Sequence, residues 1–199
     1  MKRAAELFSS KRLFEEYAYI LDFLPHGYSM GHGPLHLRRP LAQAIGEEFF
    51  TLLELIPKEG VTLTPGERVF IGKGVRDKID HISRRITYAD LTPIAKGEVE
   101  RVIENVVKSN EARFIAFFNT AQPITTRMHS LSLLPSIGRR RVWEILNERK
   151  KSPFKSFKDV EERVKLKDVS SIIVKRILLE LQGGEKYYLF VRGVAPTVK

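Results

Sequence analysis

The sequence predicts an α+β fold in which a small barrel of short strands precedes a helical unit. Three observations predict it. Turn-forming residues recur through the first half of the 199-residue chain, at Pro57-Lys58-Glu59-Gly60, Thr64-Pro65-Gly66-Glu67 and Gly72-Lys73-Gly74. They separate short runs rich in branched and aromatic side chains, the pattern of an all-β unit. After Thr92-Pro93 the apolar residues recur at helical spacing instead. The basic excess is also local. The stretch from Arg127 to Arg176 holds 14 of the 34 Lys/Arg but only 6 of the 24 Asp/Glu, a net of +8 in a chain of net charge +10. The expected division is a barrel over 13–95, a helical unit over 96–185 and a last strand over 186–191 that returns to the barrel.

Each element has its own signal. Glu15 to Leu24 reads as a strand ended by Pro25. His26 to Pro40 carries Gly27, Gly31, Gly33 and Pro34 and reads as a long loop or a hairpin with a wide tip. Gln43 to Ile56 is apolar and reads as one long strand, and Arg68 to Ile71 as a short one. From Lys78 to Leu91, Ile79, His81 and Ser83 alternate with Asp80, Ile82 and Arg84, which fits a strand with a bend or bulge. Strands in this number suggest a small closed barrel.

The helical half begins with Val99, Val102, Ile103, Val106 and Val107 on one face. Phe114 to Phe118 is a buried helix or a further strand; periodicity does not decide. Pro123 suits the first turn of a helix running to Leu133, with Ile124, Met128 and Leu131 inward. A helix from Arg139 buries Val142, Ile145 and Leu146 and ends near Lys150-Lys151. Trp143 reads as a core or hairpin anchor rather than a stacking platform, because aromatics dominate cores. Ser156 and Asp168 are the expected caps of two further helices. Gly183-Gly184 ends the last of these, and Tyr187 to Val191 reads as a short strand.

Leu133 to Trp143 carries the chemistry. Pro135 cannot continue a helix. Gly138 suits a position of positive φ or of close ligand approach. Arg139-Arg140-Arg141 then opens a helix with charges that its dipole disfavours. That placement makes sense if an anion docks on the free N–H groups of the helix start and on the Arg forks. Leu134-Pro135-Ser136-Ile137-Gly138-Arg139 resembles the helix-hairpin-helix motif, apolar-Pro-Gly-apolar-Gly-basic, with Ser136 in place of the first Gly. The resemblance implies sequence-independent grip on a nucleic-acid backbone.

The last two helices resemble a second, degenerate hairpin that supports the first. Pro65 to Gly72 is similar to the third strand of OB-like barrels. An OB-like barrel joined to tandem helix-hairpin-helix motifs resembles an uncharacterised archaeal family of nucleic-acid-binding proteins of unknown function, over about Glu15 to Val191.

The expected phosphate contacts are the backbone of Ser136, Ile137 and Gly138 and the side chains of Arg139, Arg140 and Arg141, with Arg139 and Arg140 favoured. Lys150, Lys151, Lys165, Lys167 and Lys175 are secondary contacts, and Lys73 and Arg76 could touch phosphates from the barrel. The expected partner is DNA or RNA, bound without a cofactor, in the cytoplasm and away from membranes.

Other chemistries find less support. The chain has no cysteine, which excludes disulfides, thiolate zinc sites and a Cys nucleophile. No apolar run reaches a membrane span, and the first residues contain no apolar signal core; they read as a frayed tail or a short helix. His26, His32 and His36 share one loop but match no metal-ligand spacing. Asp22, Asp77, Asp80 and Asp90 are scattered, with no pairing for two-metal phosphodiester cleavage. No catalytic or metal-binding residue is therefore expected. A metal-dependent nucleic-acid-processing enzyme and an interaction module of a translation or transcription assembly remain the alternatives.

Overall fold

A computed structural model describes residues 14–28 and 39–192. The N-terminal stretch, His32, His36 and the final residues lie outside them. The described chain is mixed α+β. Strands β1 (Tyr17–Leu24), β2 (Leu41–Gly46), β3 (Leu52–Pro57), β4 (Arg68–Phe70) and β5 (Ile79–Arg85) form one antiparallel sheet in the order β4-β1-β2-β3-β5. The sheet curls into a half-barrel. It does not close, because β4 and β5 remain its two edges rather than pairing with each other. β4 is only three residues long, and β5 runs antiparallel to β3, so the edges point the same way.

Alternation along the strands gives the sheet two apolar faces. Ala18, Ile20, Ala42, Ala44, Leu53, Leu55, Val69 and Ile79 fill the inside of the curl. Leu21, Ile45 and Leu52 face the helices. A register shift between Ile20 and Asp22 lets β1 serve both faces. Asp22 then accepts the Thr92 hydroxyl at 2.6 Å, and Gln43 accepts the Thr92 N–H at 2.8 Å. Thr92 is also the cap of α1 (Pro93–Ser109), accepting from the Ala95 N–H at 3.0 Å. One threonine thus fixes the first helix on the sheet.

The expected single strand over 43–56 is two strands, β2 and β3, joined by a turn at Glu47 to Thr51. The turn is hidden in the sequence because it is itself apolar at Phe49 and Phe50, and Phe50 takes a positive φ of 52°. Buried charge holds it instead of Gly or Asn. The Glu15 carboxylate accepts from the N–H groups of Glu48, Phe49 and Thr51 at 2.9 to 3.2 Å. Arg113 of α2 (Glu111–Thr120) donates to the carbonyls of Glu47 and Glu48. Gly46 leaves room for this carboxylate: a Cβ there would lie 2.0 Å from the Glu15 carboxyl carbon and would push Glu15 off the turn.

Beyond α2 the expected helix over 123–133 is absent. Pro123–Thr125 (β6) and Met128–His129 (β7) form a small hairpin, and a 3₁₀ turn follows over Ser130–Leu133. Pro at the first residue suits an edge strand as well as a helix start, so the proline signal was ambiguous. Helices α3 (Arg139–Lys151), α4 (Phe157–Val164) and α5 (Val169–Gln182) complete the fold. The Ser156 hydroxyl caps α4 through the Asp159 N–H, and the Asp168 carboxylate caps α5 through the Ser171 N–H.

Tyr187 to Val191 is not a strand. Its N–H groups at Leu189, Phe190 and Val191 bond to the Glu180 carboxylate of α5 at 2.7 to 2.9 Å. The segment does reach the barrel: the Arg192 N–H donates to Phe49 O, and the Thr51 hydroxyl to Arg192 O.

Candidate nucleic-acid interface

Two turns meet in one cleft. The first, Leu134 to Gly138, is pinned by Leu134 and Ile137, which are 2% and 3% exposed. The Ile137 N–H closes it by donating to Leu134 O at 3.2 Å. That N–H is therefore not free for a phosphate, which removes Ile137 from the expected donors. Ser136, not Gly138, adopts the left-handed conformation, with φ 64°. Gly138 sits at φ −80° as the cap residue of α3 and offers no side chain to it. A Cβ added at Gly138 would meet nothing within 4 Å. No side chain caps the first-turn N–H groups of α3, and α2 is likewise uncapped, whereas α1, α4 and α5 each carry a side-chain cap.

The second turn, Val164 to Asp168, has the same outline. Lys165 is left-handed at φ 56°, Leu166 is buried, and Asp168 opens the next helix. Arg141 joins the two turns, donating from Nη1 to Val164 O at 2.6 Å and to Glu144 at 2.7 Å. Between the turns lies a cleft of about 500 Å³ lined by Ser136, Arg141, Lys165, Lys167, Asp168 and Lys175 among others.

Partners separate the structural cations from the available ones. Arg140 and Arg141 share Glu144, Lys151 pairs with Glu148, Arg163 with Glu148 and Asp159, and Arg176 with Glu180 and Glu185. Hydrogen bonds from Arg141 and Arg140 hold the Glu144 carboxyl below its usual pKa, so it stays charged and partly neutralises both. Arg149 donates to the carbonyls of Phe118 and Ala121. Among the described residues of the basic stretch, Arg127, Arg139, Lys150, Lys155, Lys165, Lys167 and Lys175 have no carboxylate partner. The last three line the cleft.

The rest of the expected set is dispersed. Successive residues diverge by about 100° around a helix, so the three Arg split. Arg141 enters the cleft, Arg140 points to solvent, and Arg139 lines a separate groove. Lys150 and Lys151 stand at the far end of α3, roughly 15 Å from Arg140 at the helical rise. Lys73 and Arg76 line a third hollow, at the open side of the half-barrel. His26 is exposed, and among the described residues no three His, Asp, Glu or Cys gather as metal ligands.

Trp143 is not a core anchor. It is 66% exposed and lines the groove with Arg139. The helical pattern held the signal: Val142 and Ile145 fix the inner face of α3, and Trp143 lies off it. The groove also holds Arg127 and His129, which spacing alone did not single out. The His129 ring accepts the Leu131 N–H at Nδ1, and burial and then Arg149 push its pKa down, so it is neutral near pH 7.

Comparison with known proteins places the chain. Its sequence is 50% identical over 181 residues to the uncharacterised protein MJ0038 of Methanocaldococcus jannaschii, covering 90% of this chain and 81% of that one. Its fold is similar to the crystal structure of Af1531 from Archaeoglobus fulgidus, with a TM-score of 0.81 and 48% identity over 88% of this chain and 99% of the other. The family model described as "Protein of unknown function (DUF655)" matches residues 14–192, and the chain belongs to that family.

Proposed function

We propose that the chain binds the sugar-phosphate backbone of nucleic acid without reading bases, through the cleft between its two α-helical turns. The observation that carries this reading is the gathering of Lys165, Lys167 and Lys175, all without carboxylate partners, beside Ser136 and the uncapped start of α3. A phosphate there meets three ammonium groups and the positive end of a helix, which together favour an anion over any neutral ligand. On this reading the turns act as tandem helix-hairpin-helix elements. The first supplies the open backbone, and the second, lacking Gly, supplies side-chain charge. The half-barrel then acts as an OB-like platform that fixes how the helices are presented.

The test is binding of the purified chain to a short DNA duplex across a salt series, alongside a Lys165→Glu/Lys167→Glu variant. Affinity should fall steeply with salt, and the variant should bind at least about tenfold more weakly, since lost phosphate contacts weaken binding uniformly across sequences. A folded double variant that binds as tightly as the parent would overturn the proposal.

A further inference from the structure

We infer that the groove between the β6–β7 hairpin and α3 takes an unpaired base of single-stranded nucleic acid, stacked on Trp143 and flanked by phosphates on Arg127 and Arg139. The inference rests on the reading of the neighbouring cleft as a backbone site and adds the kind of strand that occupies it.

The groove has a volume of about 760 Å³ and is lined by Arg127, Met128, His129, Arg139, Trp143 and Leu146 among others. Trp143 is two-thirds exposed, and its ring meets no aromatic ring or cation among the described residues. A large apolar ring left in water on a charged helix is uncommon, and it offers a flat face for stacking. Met128 and Leu146 supply apolar walls beside it. Among the described residues no Asp or Glu lines the groove, and neither Arg127 nor Arg139 has a carboxylate partner. A ligand that is planar in one part and anionic in the next satisfies both features. His129 accepts at Nδ1, which leaves its Nε2 protonated in the neutral ring as a hydrogen-bond donor in the same groove.

Position links this groove to the cleft. Arg139 and Arg141 lie two residues apart on α3, about 200° around the helix. One lines the groove and the other the cleft. A strand crossing the start of α3 would lay its backbone on the cleft and turn a base into the groove. Bases paired within a duplex expose no face to a side chain, so the groove selects single strands or unpaired nucleotides.

Trp143 is the only tryptophan, so its emission reports this groove alone. The full chain is titrated with a short oligothymidylate, a short oligouridylate and a blunt duplex. Both single strands should quench the emission, and the duplex should bind without quenching. Trp143→Phe should keep single-strand affinity near the parent value. Trp143→Ala should lose roughly tenfold, as removal of one stacking platform does, with duplex affinity unchanged. If single strands leave the emission unchanged, or the Ala variant binds them as well as the parent, the groove assignment fails while duplex binding keeps the cleft. Absence of binding to all three ligands overturns both. Quenching by poly-glutamate and by no oligonucleotide would overturn the inference in favour of an acidic protein partner.

Discussion

Ser136 and Gly138 stand where the motif that this turn resembles usually has two glycines, but only Ser136 takes a positive φ. Ser136 holds a left-handed backbone at φ 64°, which costs an L-residue about 1–2 kcal/mol. Gly has no such penalty but loses more freedom on folding. Ser136→Gly should therefore stabilise the chain, by about 0.5–1 kcal/mol after both effects. The denaturant midpoint should rise with no change in slope. Gly138 supports a sharper test. Gly138→Asp would cap α3 and add a charge that suits its dipole, raising stability by a few tenths of a kcal/mol or more. It would also put a carboxylate where the phosphate is proposed to sit. A higher melting temperature together with at least about tenfold weaker duplex binding is expected. Equal affinity in the more stable variant would remove the start of α3 from the site. The local string revealed that a tight turn occurs here but not which residue turns left-handed. Conformation at Ser136 is set by Leu134 and Ile137 entering the core, and that is a tertiary fact. The exposure of Trp143 is likewise a matter of helix position and not of residue type. Residue type favours burial of Trp, whereas the inner face set by Val142 and Ile145 excludes it.

At the scale of elements, buried charge does what strand pairing was expected to do. Glu180 is fully buried and accepts from Arg176 Nε at 2.8 Å and from three successive N–H groups of the 189–191 segment. Arg176 also reaches Leu133 O, ahead of the first turn, and the Tyr187 carbonyl. One ion pair thus ties the C-terminal segment and the approach to the candidate site onto α5. Its apolar residues were legible as buried: Phe190 and Val191 are 6% and 2% exposed. What they pair with was not, because a carboxylate 10 residues upstream leaves no mark on local alternation. The long helix α1 was legible, since its five buried valine and isoleucine positions repeat over several turns. The β6–β7 hairpin was not, because strands of three and two residues are shorter than any period they could display. Glu180→Ala should cost about 3–5 kcal/mol, since it strands Arg176 in the core. Amide exchange at Leu189 to Val191 should quicken more than in α1. A loss under 1 kcal/mol would mean that Glu185 alone satisfies the guanidinium.

For the whole molecule, the charge count was visible in the sequence but its use was not. Half of the 14 Lys/Arg between Arg127 and Arg176 are engaged by carboxylates or carbonyls within the helical unit: Arg140, Arg141, Arg149, Lys151, Lys158, Arg163 and Arg176. A run of strands is legible in the first half of the chain, whereas closure of the expected barrel requires β4 and β5 to pair, which no local pattern encodes. The distribution of free charge predicts how binding responds to salt. If Lys165, Lys167 and Lys175 each neutralise a phosphate, the logarithm of affinity for duplex DNA should fall against the logarithm of salt with a slope of about −3, and replacing any one by Gln should reduce that slope by about 1. Lys150 stands at the opposite end of α3. Lys150→Gln should leave the slope unchanged for a ligand confined to the cleft. A reduction of about 1 on long duplexes but not on short ones would mean that the backbone continues along α3 past its C-terminal end. Slopes that do not change in any of the three cleft variants would show that these lysines neutralise no phosphate, and the cleft would cease to be the site.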